Sequence, residues 1–209
     1  MIKLHHLEHS RSQRILWLLE ELGLEYEIIA YKRDPVTRFA PPQLKAVHPL
    51  GKSPVIEGGK RVVAESGAII EYLAKKPGKG RFWPAEDAPN WIEHQHWMHF
   101  AEGSAMLPML LALYVGRLGE AGAPLKPRID SEIANHLSYM EQALGSGEYF
   151  AGPEFTACDV QLTFVLEAAA ARGRLADYPG LARYLARVQA RPAYLRALER
   201  GGPYQLGGR

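Results

Sequence analysis

The hydrophobic pattern of residues 1–75 alternates between the period of a strand and that of a helix. Two segments rich in strand-forming residues, "MIKLHHL" and "YEIIAY", flank an apolar repeat of helical spacing that ends at Gly23. After a proline-rich loop with one short helical turn, two short apolar runs surround a Gly-Gly pair and predict a hairpin. A second helical repeat, "ESGAIIEYLAKK", follows. The predicted order is βαβ, an irregular helix, and ββα.

The pattern changes after residue 76. The segment 76–89 holds three prolines and two glycines, as a linker does, and the chain beyond it is helical in pattern. Residues 91–115 predict one long or bent helix. The apolar positions from Ile129 to Leu144 form one stripe, and residues 160–171 are apolar on nearly every side, as in the middle of a bundle.

These patterns predict two domains. A small α/β domain with a mixed sheet is expected over 1–77, a linker over 78–88, and an all-helical domain over 89–209.

Composition narrows the class of protein. Among 209 residues, 25 lysines and arginines nearly balance 23 aspartates and glutamates, and because no basic face stands out we expect no nucleic-acid partner. The single cysteine, Cys158, excludes a disulfide framework within the chain and suits a reducing compartment. The start of the chain lacks a signal-peptide pattern, and the longest apolar run, "AMLPMLLALYVG", is shorter than the roughly 20 residues that span a bilayer. We therefore expect a soluble, cytoplasmic protein with no membrane partner.

The stretch "GKSPVIEGGK" places Pro54 at the start of a short strand. Proline suits that position because it cannot donate to the sheet ladder. A trans Ser53–Pro54 bond is the simpler interpretation, since only roughly one X-Pro bond in twenty is cis. If the bond is cis, the N–H and C=O of Ser53 face solvent side by side and can pair with the backbone of an extended peptide.

The stretch "AESGAIIEYL" also has two interpretations. Ser66 precedes the apolar repeat as an N-cap would, with Glu65 as an exposed neighbour. A helix N-terminus also favours a bound carboxylate, and Glu65 can accept from an ammonium group. The two residues would then hold both charges of a free amino-acid terminus. The stretch by itself favours the plain N-cap.

The stretch "HSRSQR" crowds Ser10 and Ser12 at the start of the first predicted helix, beside Arg11 and Arg14. Neither serine is a covalent nucleophile, because no base and no nucleophile-elbow glycines accompany them. A hydroxyl here either caps the helix or donates to a thiolate that a substrate supplies, since helix N-termini and nearby cations lower thiol pKa values. The stretch leaves these two roles evenly balanced.

Two further patterns indicate structure rather than chemistry. Thr156 and Asp159 have the spacing of a capping box ahead of a buried helix, and Cys158 in its first turn is expected to be packed and unreactive. Three histidines within residues 94–99 do not share one helix face, and no carboxylates complete a ligand set, so no metal is expected.

Taken in order, these motifs resemble the cytosolic glutathione S-transferase family, in particular its serine-type, bacterial-like members. The resemblance covers essentially the whole chain and rests on "SRSQRILWLLEELGLEYE", "HPLGKSPVIEGG", "VVAESGAIIEYLAKK", "FTACDVQL" and "YPGLARYLARVQARPAYLRAL". It implies an α/β thioredoxin-like N-terminal domain and an all-α C-terminal helical bundle domain. It also implies an enzyme that takes glutathione as co-substrate, needs no metal and forms a homodimer.

The resemblance implies a role for each matched position. Ser10 is similar to the serine that donates to the glutathione sulfur, with Ser12 as the alternative, and we expect Ser10 to be the donor and Ser12 the cap. Pro54 is similar to the family's cis-proline, so the backbone of Ser53 would pair with the cysteinyl residue of glutathione. The other implied contacts are Lys52 with the glycyl carboxylate, Glu65 and Ser66 with the γ-glutamyl end, and Met106, Leu110 and Tyr114 with a hydrophobic electrophile.

The sequence departs from the family pattern at several positions. Ser53 stands where valine is common, His48 where asparagine is frequent, and Phe39 where some serine-type members hold the glycyl carboxylate with a histidine. No cysteine lies at the entrance of the first helix, which argues against the members that form a mixed disulfide with glutathione.

The predicted reaction is attack of the glutathione thiolate on an apolar electrophile. Two alternatives stay open. One is a non-catalytic docking or ligand-binding protein of the same fold. The other is an enzyme that uses glutathione differently, as an isomerase, a peroxidase or a dehalogenase; isomerase-type members resemble "SSC" where this sequence has "SRS".

Overall fold

The computed structural model describes residues 1–59, 61–202 and 204–206. By their internal packing the residues form two units, one from Met1–Ala85 and Val188–Arg209 and the other from Glu86–Arg187. The strands are β1 (Ile2–Leu7), β2 (Tyr26–Tyr31), β3 (Val55–Gly58) and β4 (Arg61–Ala64). The α-helices are α1 (Ser12–Leu22), α2 (Gln43–Val47), α3 (Ser66–Lys75), α4 (Trp91–Phe100), α5 (Met106–Gly116), α6 (Lys126–Leu144), α7 (Ala157–Ala170), α8 (Pro179–Gln189) and α9 (Pro192–Gly201).

The first unit is built on a four-stranded mixed sheet of order β2-β1-β3-β4. β1 runs parallel to β2 and antiparallel to β3, and β3 and β4 form the antiparallel hairpin that the Gly-Gly pair predicts. With α1 between β1 and β2, and α3 after the hairpin, this is the expected thioredoxin-like α/β arrangement. The predicted fold class is therefore confirmed for both parts of the chain.

The helix α1 forms where its apolar repeat predicts it. Every member of that repeat is buried, with at most 6% of its surface exposed. The helix ends at Gly23, whose φ of 64° lies in the left-handed region that glycine adopts without strain. The N–H of Gly23 bonds to the carbonyl of Glu20 and that of Leu24 to the carbonyl of Leu19, which satisfies the last turn.

The C-terminal helix α9 packs against α1 in the first unit. Tyr194 meets Trp17 edge-on with 5.3 Å between ring centroids, and Arg191 forms an ion pair with Glu21. This packing assigns the end of the chain to the first unit. The domain bounds expected from the sequence, 1–77, 78–88 and 89–209, follow chain order instead and stay a prediction.

The second unit is helical, and its patterns are confirmed. The apolar stripe of α6 is buried along its length, with at most 6% exposure, and α7 is buried on nearly every side. The capping box at the start of α7 is present: the N–H of Thr156 donates to Oδ2 of Asp159 over 2.8 Å. Cys158 is fully buried, and burial raises the pKa of its thiol well above the usual value. The expectation that Cys158 is packed is therefore confirmed, and a raised thiol pKa accords with low reactivity.

The long helix predicted over 91–115 is divided into α4, a π-helical turn Ala101–Ala105, and α5. Pro108 lies in the first turn of α5 and has no N–H to give to the carbonyl four residues earlier, so the wider turn falls where an α-helix would be strained. Among the described residues, the combined run Trp91–Gly116 is long and apolar enough to cross a membrane. The core helix of a soluble protein passes the same test, so this is a weak indication.

Candidate active site

The two serines before and at the start of α1 differ in exposure. Ser12 is fully buried, whereas Ser10 keeps 6% of its surface exposed. The Ser12 hydroxyl is surrounded by protein partners: Nδ1 of His6 at 2.9 Å, Oγ of Ser10 at 2.8 Å and the carbonyl oxygen of Leu7 at 3.2 Å. Of the two serines, Ser10 is the less completely buried.

The capping role expected for Ser12 is wrong. The helix α1 begins at Ser12 itself, and Arg11 before it makes no side-chain cap. The hydroxyl that accepts from the first turn belongs to Ser10, which takes the N–H of Ser12 at 3.2 Å. Ser10 therefore lies where the positive end of the α1 dipole is felt most strongly.

A buried arginine connects the first turn of α1 to the start of α3. Arg14 is 3% exposed, and its Nη2 donates to Oγ of Ser66 over 3.0 Å. Ser66 is the first residue of α3 rather than its N-cap, so the plain N-cap expected from the sequence is wrong. The hydroxyl is held by the guanidinium, while the backbone N–H of Ser66 lies at a helix N-terminus and suits an anion.

The residue before α3 has an unusual backbone. Glu65 has a φ of 70°, a region that residues other than glycine seldom adopt. Its carbonyl still accepts from the N–H of Ile69, and its side chain is exposed. Strained backbone conformations of this kind persist only where the surrounding structure enforces them, and they are concentrated at ligand and active sites.

Ser53 and Pro54 lie where β3 approaches the end of β1. The Ser53–Pro54 peptide bond is cis. The Ser53 hydroxyl donates to the carbonyl of His5 over 2.8 Å and accepts from the N–H of Leu7 at 3.2 Å. The side chain thus takes the place of the ladder bonds that proline cannot make. Among the described residues, no backbone hydrogen bond uses the N–H or C=O of Ser53.

The loops around Ser10 are basic. His9 has a φ of 50°, and its carbonyl accepts from Arg33. Burial lowers the pKa of His9, and the positive charges of Arg38 and Arg33 act in the same direction against the opposing effect of Glu8. The C-terminal segment reaches the same place, since the N–H of Gln205 donates to Nδ1 of His9 over 3.1 Å.

Lys52, the remaining residue predicted to contact glutathione, lies at an exposed part of the surface. Lys52 is exposed next to Ser53, and Phe39 is 68% exposed. The flexible side chain of Lys52 allows its ammonium group to reach the carboxylate of a ligand bound beside Ser53.

The residues expected to line a pocket for the second substrate lie on α5, in the second unit. Met106, Leu110 and Tyr114 follow at intervals of four and therefore share one face of the helix. Met106 is buried at 4% exposure, Leu110 is half-buried, and Tyr114 is 57% exposed. Their role stays a prediction.

The three histidines of α4 have different surroundings. His94 is buried with its Nδ1 at 3.1 Å from Oγ1 of Thr156, and His96 lies 3.0 Å from the Tyr139 hydroxyl. Within the described ranges, no group of three or more His, Cys, Asp or Glu side chains is arranged to hold a metal ion.

Two features of the site were missed from the sequence. One is the contact of Arg14 with Ser66, and the other is the hydrogen bond between His6 and Ser12. Both join residues on different elements. Only the alternation of side chains along β1, which turns His5 and His6 to opposite faces, was available as a signal.

Comparisons with known proteins identify the family of the chain. Residues 1–75 match the glutathione S-transferase N-terminal domain, and residues 123–187 match the glutathione S-transferase C-terminal domain. Glutathione S-transferase 1 of Saccharomyces cerevisiae is 30% identical over 96% of this chain and 95% of its own length. Glutathione S-transferase 3 of Schizosaccharomyces pombe is 38% identical over 96% of this chain and 88% of its own.

Solved structures give the same relationship. A glutathione S-transferase from Actinobacillus pleuropneumoniae is 37% identical with a TM-score of 0.89, over 98% of this chain and 94% of that one. A sphingomonad glutathione S-transferase complexed with glutathione is 25% identical with a TM-score of 0.78, over 96% of this chain and 98% of that one. The chain therefore belongs to the cytosolic glutathione S-transferase family and is an enzyme whose substrate is glutathione.

Proposed function

We propose that the protein conjugates the thiolate of glutathione to apolar electrophiles, with Ser10 as the group that hydrogen-bonds the sulfur. The observation that carries the proposal is the position of Ser10. Ser10 is the less buried of the two serines, its hydroxyl accepts the N–H of Ser12 at the start of α1, and no cysteine shares that position. A hydroxyl at a helix N-terminus stabilises a thiolate that a substrate brings, because both the O–H dipole and the helix dipole favour negative charge.

The peptide part of glutathione would be held by the rest of the first unit. The unused N–H and C=O of Ser53 suit the cysteinyl backbone, as an added strand would. The start of α3 suits the γ-glutamyl carboxylate, and the exposed Glu65 carboxylate suits its ammonium group. Lys52 is the cation offered to the glycyl carboxylate.

The chemistry needs no covalent enzyme intermediate. The thiol loses its proton, and the sulfur attacks an electrophilic carbon while the substrate's leaving group departs or an adduct is protonated. Catalysis then comes from holding the thiolate charged, partly desolvated and aligned.

Three finer features belong to the same proposal. The electrophile is apolar and meets Met106, Leu110 and Tyr114, the protein works as a homodimer, and it acts in the cytoplasm. The apolar character of α5 and the reducing environment that a single buried thiol suits support these features.

The experiment is a glutathione titration followed by tryptophan fluorescence, then an assay of conjugation to a generic aryl halide. We expect binding at millimolar glutathione or below, and turnover. Absence of binding would overturn the proposal. Binding without turnover would favour a docking or ligand-carrying protein, and turnover only of peroxides or of cis-trans isomers would favour those alternatives.

Replacement of Ser10 tests the assigned donor. In Ser10→Ala we expect kcat to fall by about 10²-fold while glutathione affinity is retained, the size of effect that loss of one donor to a developing anion produces. The matched control is Ser138→Ala, a serine of α6 in the second unit. A Ser10→Ala enzyme with unchanged kcat would refute the donor role.

A further inference from the structure

A chain of hydrogen bonds runs inward from Ser10. Its hydroxyl lies 2.8 Å from that of Ser12, and the Ser12 hydroxyl lies 2.9 Å from Nδ1 of His6. On the other side of the ring, Nε2 of His6 lies 3.1 Å from the carbonyl oxygen of Gly201. All four residues belong to the first unit, and both serines and His6 are buried.

The direction of the hydrogen bonds in this chain follows from the acceptors. The carbonyl of Gly201 can only accept, so Nε2 of His6 carries the hydrogen. Burial lowers the pKa of His6 more than the bond to Gly201 raises it, which favours the neutral ring, and in that ring Nδ1 is an acceptor. The Ser12 hydroxyl must then donate to Nδ1.

The Ser10 hydroxyl donates in turn to Ser12. The Ser12 hydroxyl has one hydrogen, which His6 receives, so the short contact of the two serines has Ser10 as donor. The carbonyl of Leu7 competes for the Ser12 hydrogen at the longer distance of 3.2 Å, but that choice would leave Nδ1 of a buried ring unpaired. In the free enzyme the Ser10 hydrogen therefore points inward, while the same oxygen accepts the N–H of Ser12.

This direction is opposite to what a thiolate donor needs. We propose that His6 receives the thiol proton of glutathione through Ser10 and Ser12, and that the same transfer turns the Ser10 hydroxyl towards the sulfur. The inference rests on the proposed role of Ser10 as the sulfur's partner.

The transfer balances at each step. The S–H bond breaks and sulfur keeps the electron pair, while Ser10 takes the proton and passes its own to Ser12, which passes its own to Nδ1 of His6. The products are a thiolate and an imidazolium, joined by two hydroxyls that now both donate outward. After conjugation, the proton returns along the same path to the adduct or leaving group that carries the negative charge.

Two features near His6 offset part of the burial that lowers the pKa of its ring. Gly201 is the last residue of α9, and its carbonyl belongs to the negative end of that helix, where protonated histidine is favoured. The amide of Gln13 is buried and has no hydrogen-bond partner among the described residues. A methyl group added to Gly201 would lie 2.6 Å from Oε1 of Gln13 and 3.4 Å from Nε2 of His6, so both groups border one small space.

The charged groups on the elements around His6 do not pair with its ring. Its direct partners are the carbonyl of Gly201 and the Ser12 hydroxyl, and the thiolate would be connected to it through the two serines. His9, in the loop after β1, lowers the pKa of His6. The charged side chains of α1 and α9 are otherwise engaged or exposed: Arg14 with Ser66, Glu20 with Arg196 and Arg200, Glu21 with Arg191, and Glu199 at the surface. On the neighbouring strands, Glu27 is exposed and Glu57 contacts His5.

The test is a count of protons released to buffer when glutathione binds. Calorimetric titrations in two buffers of different ionisation enthalpy give this number, and ultraviolet absorbance gives the amount of thiolate. In the native enzyme we expect thiolate to form with few protons released, because His6 keeps them. In His6→Asn, whose side chain can accept from Ser12 but cannot take up a proton, we expect about one proton released for each thiolate formed.

The pH dependence of thiolate formation gives a second readout. In His6→Asn the apparent pKa of the bound thiol should rise by about one pH unit or more, which is a tenfold loss of thiolate at a given lower pH. Ser12→Ala interrupts the chain while it keeps His6, and should give the same two results. The double variant should add nothing further, since both changes break one path.

The matched control is His5→Asn. His5 is buried to the same degree on the opposite face of β1, where its partners are Tyr31 and Glu57. This variant should keep the native proton count and thiol pKa. If native enzyme releases a proton for every thiolate, or if His6→Asn and Ser12→Ala keep the native thiol pKa, the relay is refuted. If native enzyme binds no glutathione or forms no thiolate, it is the proposed function that fails.

Discussion

The guanidinium of Arg14 donates to the hydroxyl of Ser66 over 3.0 Å, and both side chains are buried. Because Arg14 lies in the first turn of α1 and Ser66 begins α3, this bond joins the two helix starts of the proposed glutathione site. In the proposed site, the bond would link the element that meets the sulfur to the element that meets the γ-glutamyl group.

Replacing Arg14 by lysine should weaken glutathione binding more than catalysis. An ammonium group cannot reproduce the planar fork of the guanidinium, so Ser66 and the start of α3 lose their support. We expect the Kd for glutathione to rise about tenfold, which is about 1.4 kcal/mol, with a smaller change in kcat at saturation. Fluorescence titration and steady-state kinetics measure the two. Arg183→Lys, at an exposed position of α8, is the control. A fall in kcat at unchanged affinity would instead place Arg14 with the sulfur.

Replacing Glu65 by glutamine should remove the partner of the γ-glutamyl ammonium group. Loss of a charge-assisted hydrogen bond is expected to raise the Kd for glutathione about tenfold. An analogue of glutathione without that amino group should bind both forms of the protein equally, because the contact is absent in either case. Glu71→Gln, on the exposed side of α3 where Glu71 pairs with Lys75, is the control. Equal losses for glutathione and the analogue would contradict the assignment.

Adding a methyl group at Gly201 should loosen the packing of α9 on α1. The new carbon would meet Oε1 of Gln13 at 2.6 Å and Cδ2 of Leu16 at 2.8 Å, distances that force a shift. We expect Gly201→Ala to lower the free energy of unfolding by about 1–3 kcal/mol, as overpacking does, in urea denaturation. In Gly116→Ala the added carbon meets nothing within 4 Å, so that helix should be unchanged or more stable. Equal stabilities of the two variants would show that α9 yields without cost.

The stability of the protein should depend on pH through Asp159. Burial raises the pKa of its carboxyl to about 6, against the hydrogen bonds from Thr156, Tyr184 and Phe150 that favour the charged form. Because the folded pKa is above the ordinary value of 3.8, the folded state keeps a proton that the unfolded state has lost between these values. The stabilisation is therefore full below pH 3.8 and is lost as pH rises through 6. Its size is about 3 kcal/mol.

Urea denaturation of native protein and Asp159→Asn between pH 4 and pH 7 measures this dependence. The variant should be less stable, because its amide NH2 meets N–H and O–H donors, and its deficit should shrink as pH rises. Asp177→Asn, at an exposed position, is the control. A deficit that is constant over the range would contradict the assignment to Asp159.

The fold was predictable because its signals are local. The repeat of α1, the stop at Gly23, the hairpin glycines and the box of Thr156 and Asp159 each lie within a few residues of chain. The same locality explains why Ser12 and Ser66 were predicted as N-caps although each is the first residue of its helix. The start of a helix depends on tertiary contacts as well as on residue type.

The details of the site were not predictable for the opposite reason. Ser10 and Ser12 are chemically alike, and only burial and the His6 ring distinguish them. Arg14 and Ser66 are 52 positions apart, and His6 and Gly201 are 195 apart. No periodicity links such pairs. The positive φ of Glu65 could not be predicted from the sequence either, because glutamate seldom adopts a positive φ.

The placement of α9 in the first unit has a consequence for how the protein is made. Residues 1–85 leave the ribosome long before residues 188–206 are translated. Trp17 and Glu21 therefore cannot contact Tyr194 and Arg191 until synthesis is nearly finished. During that interval the apolar surface of α1 is uncovered, and a nascent chain stalled before α9 offers that surface to chaperones. The core of the first unit is thus completed only when the last helix has been synthesised.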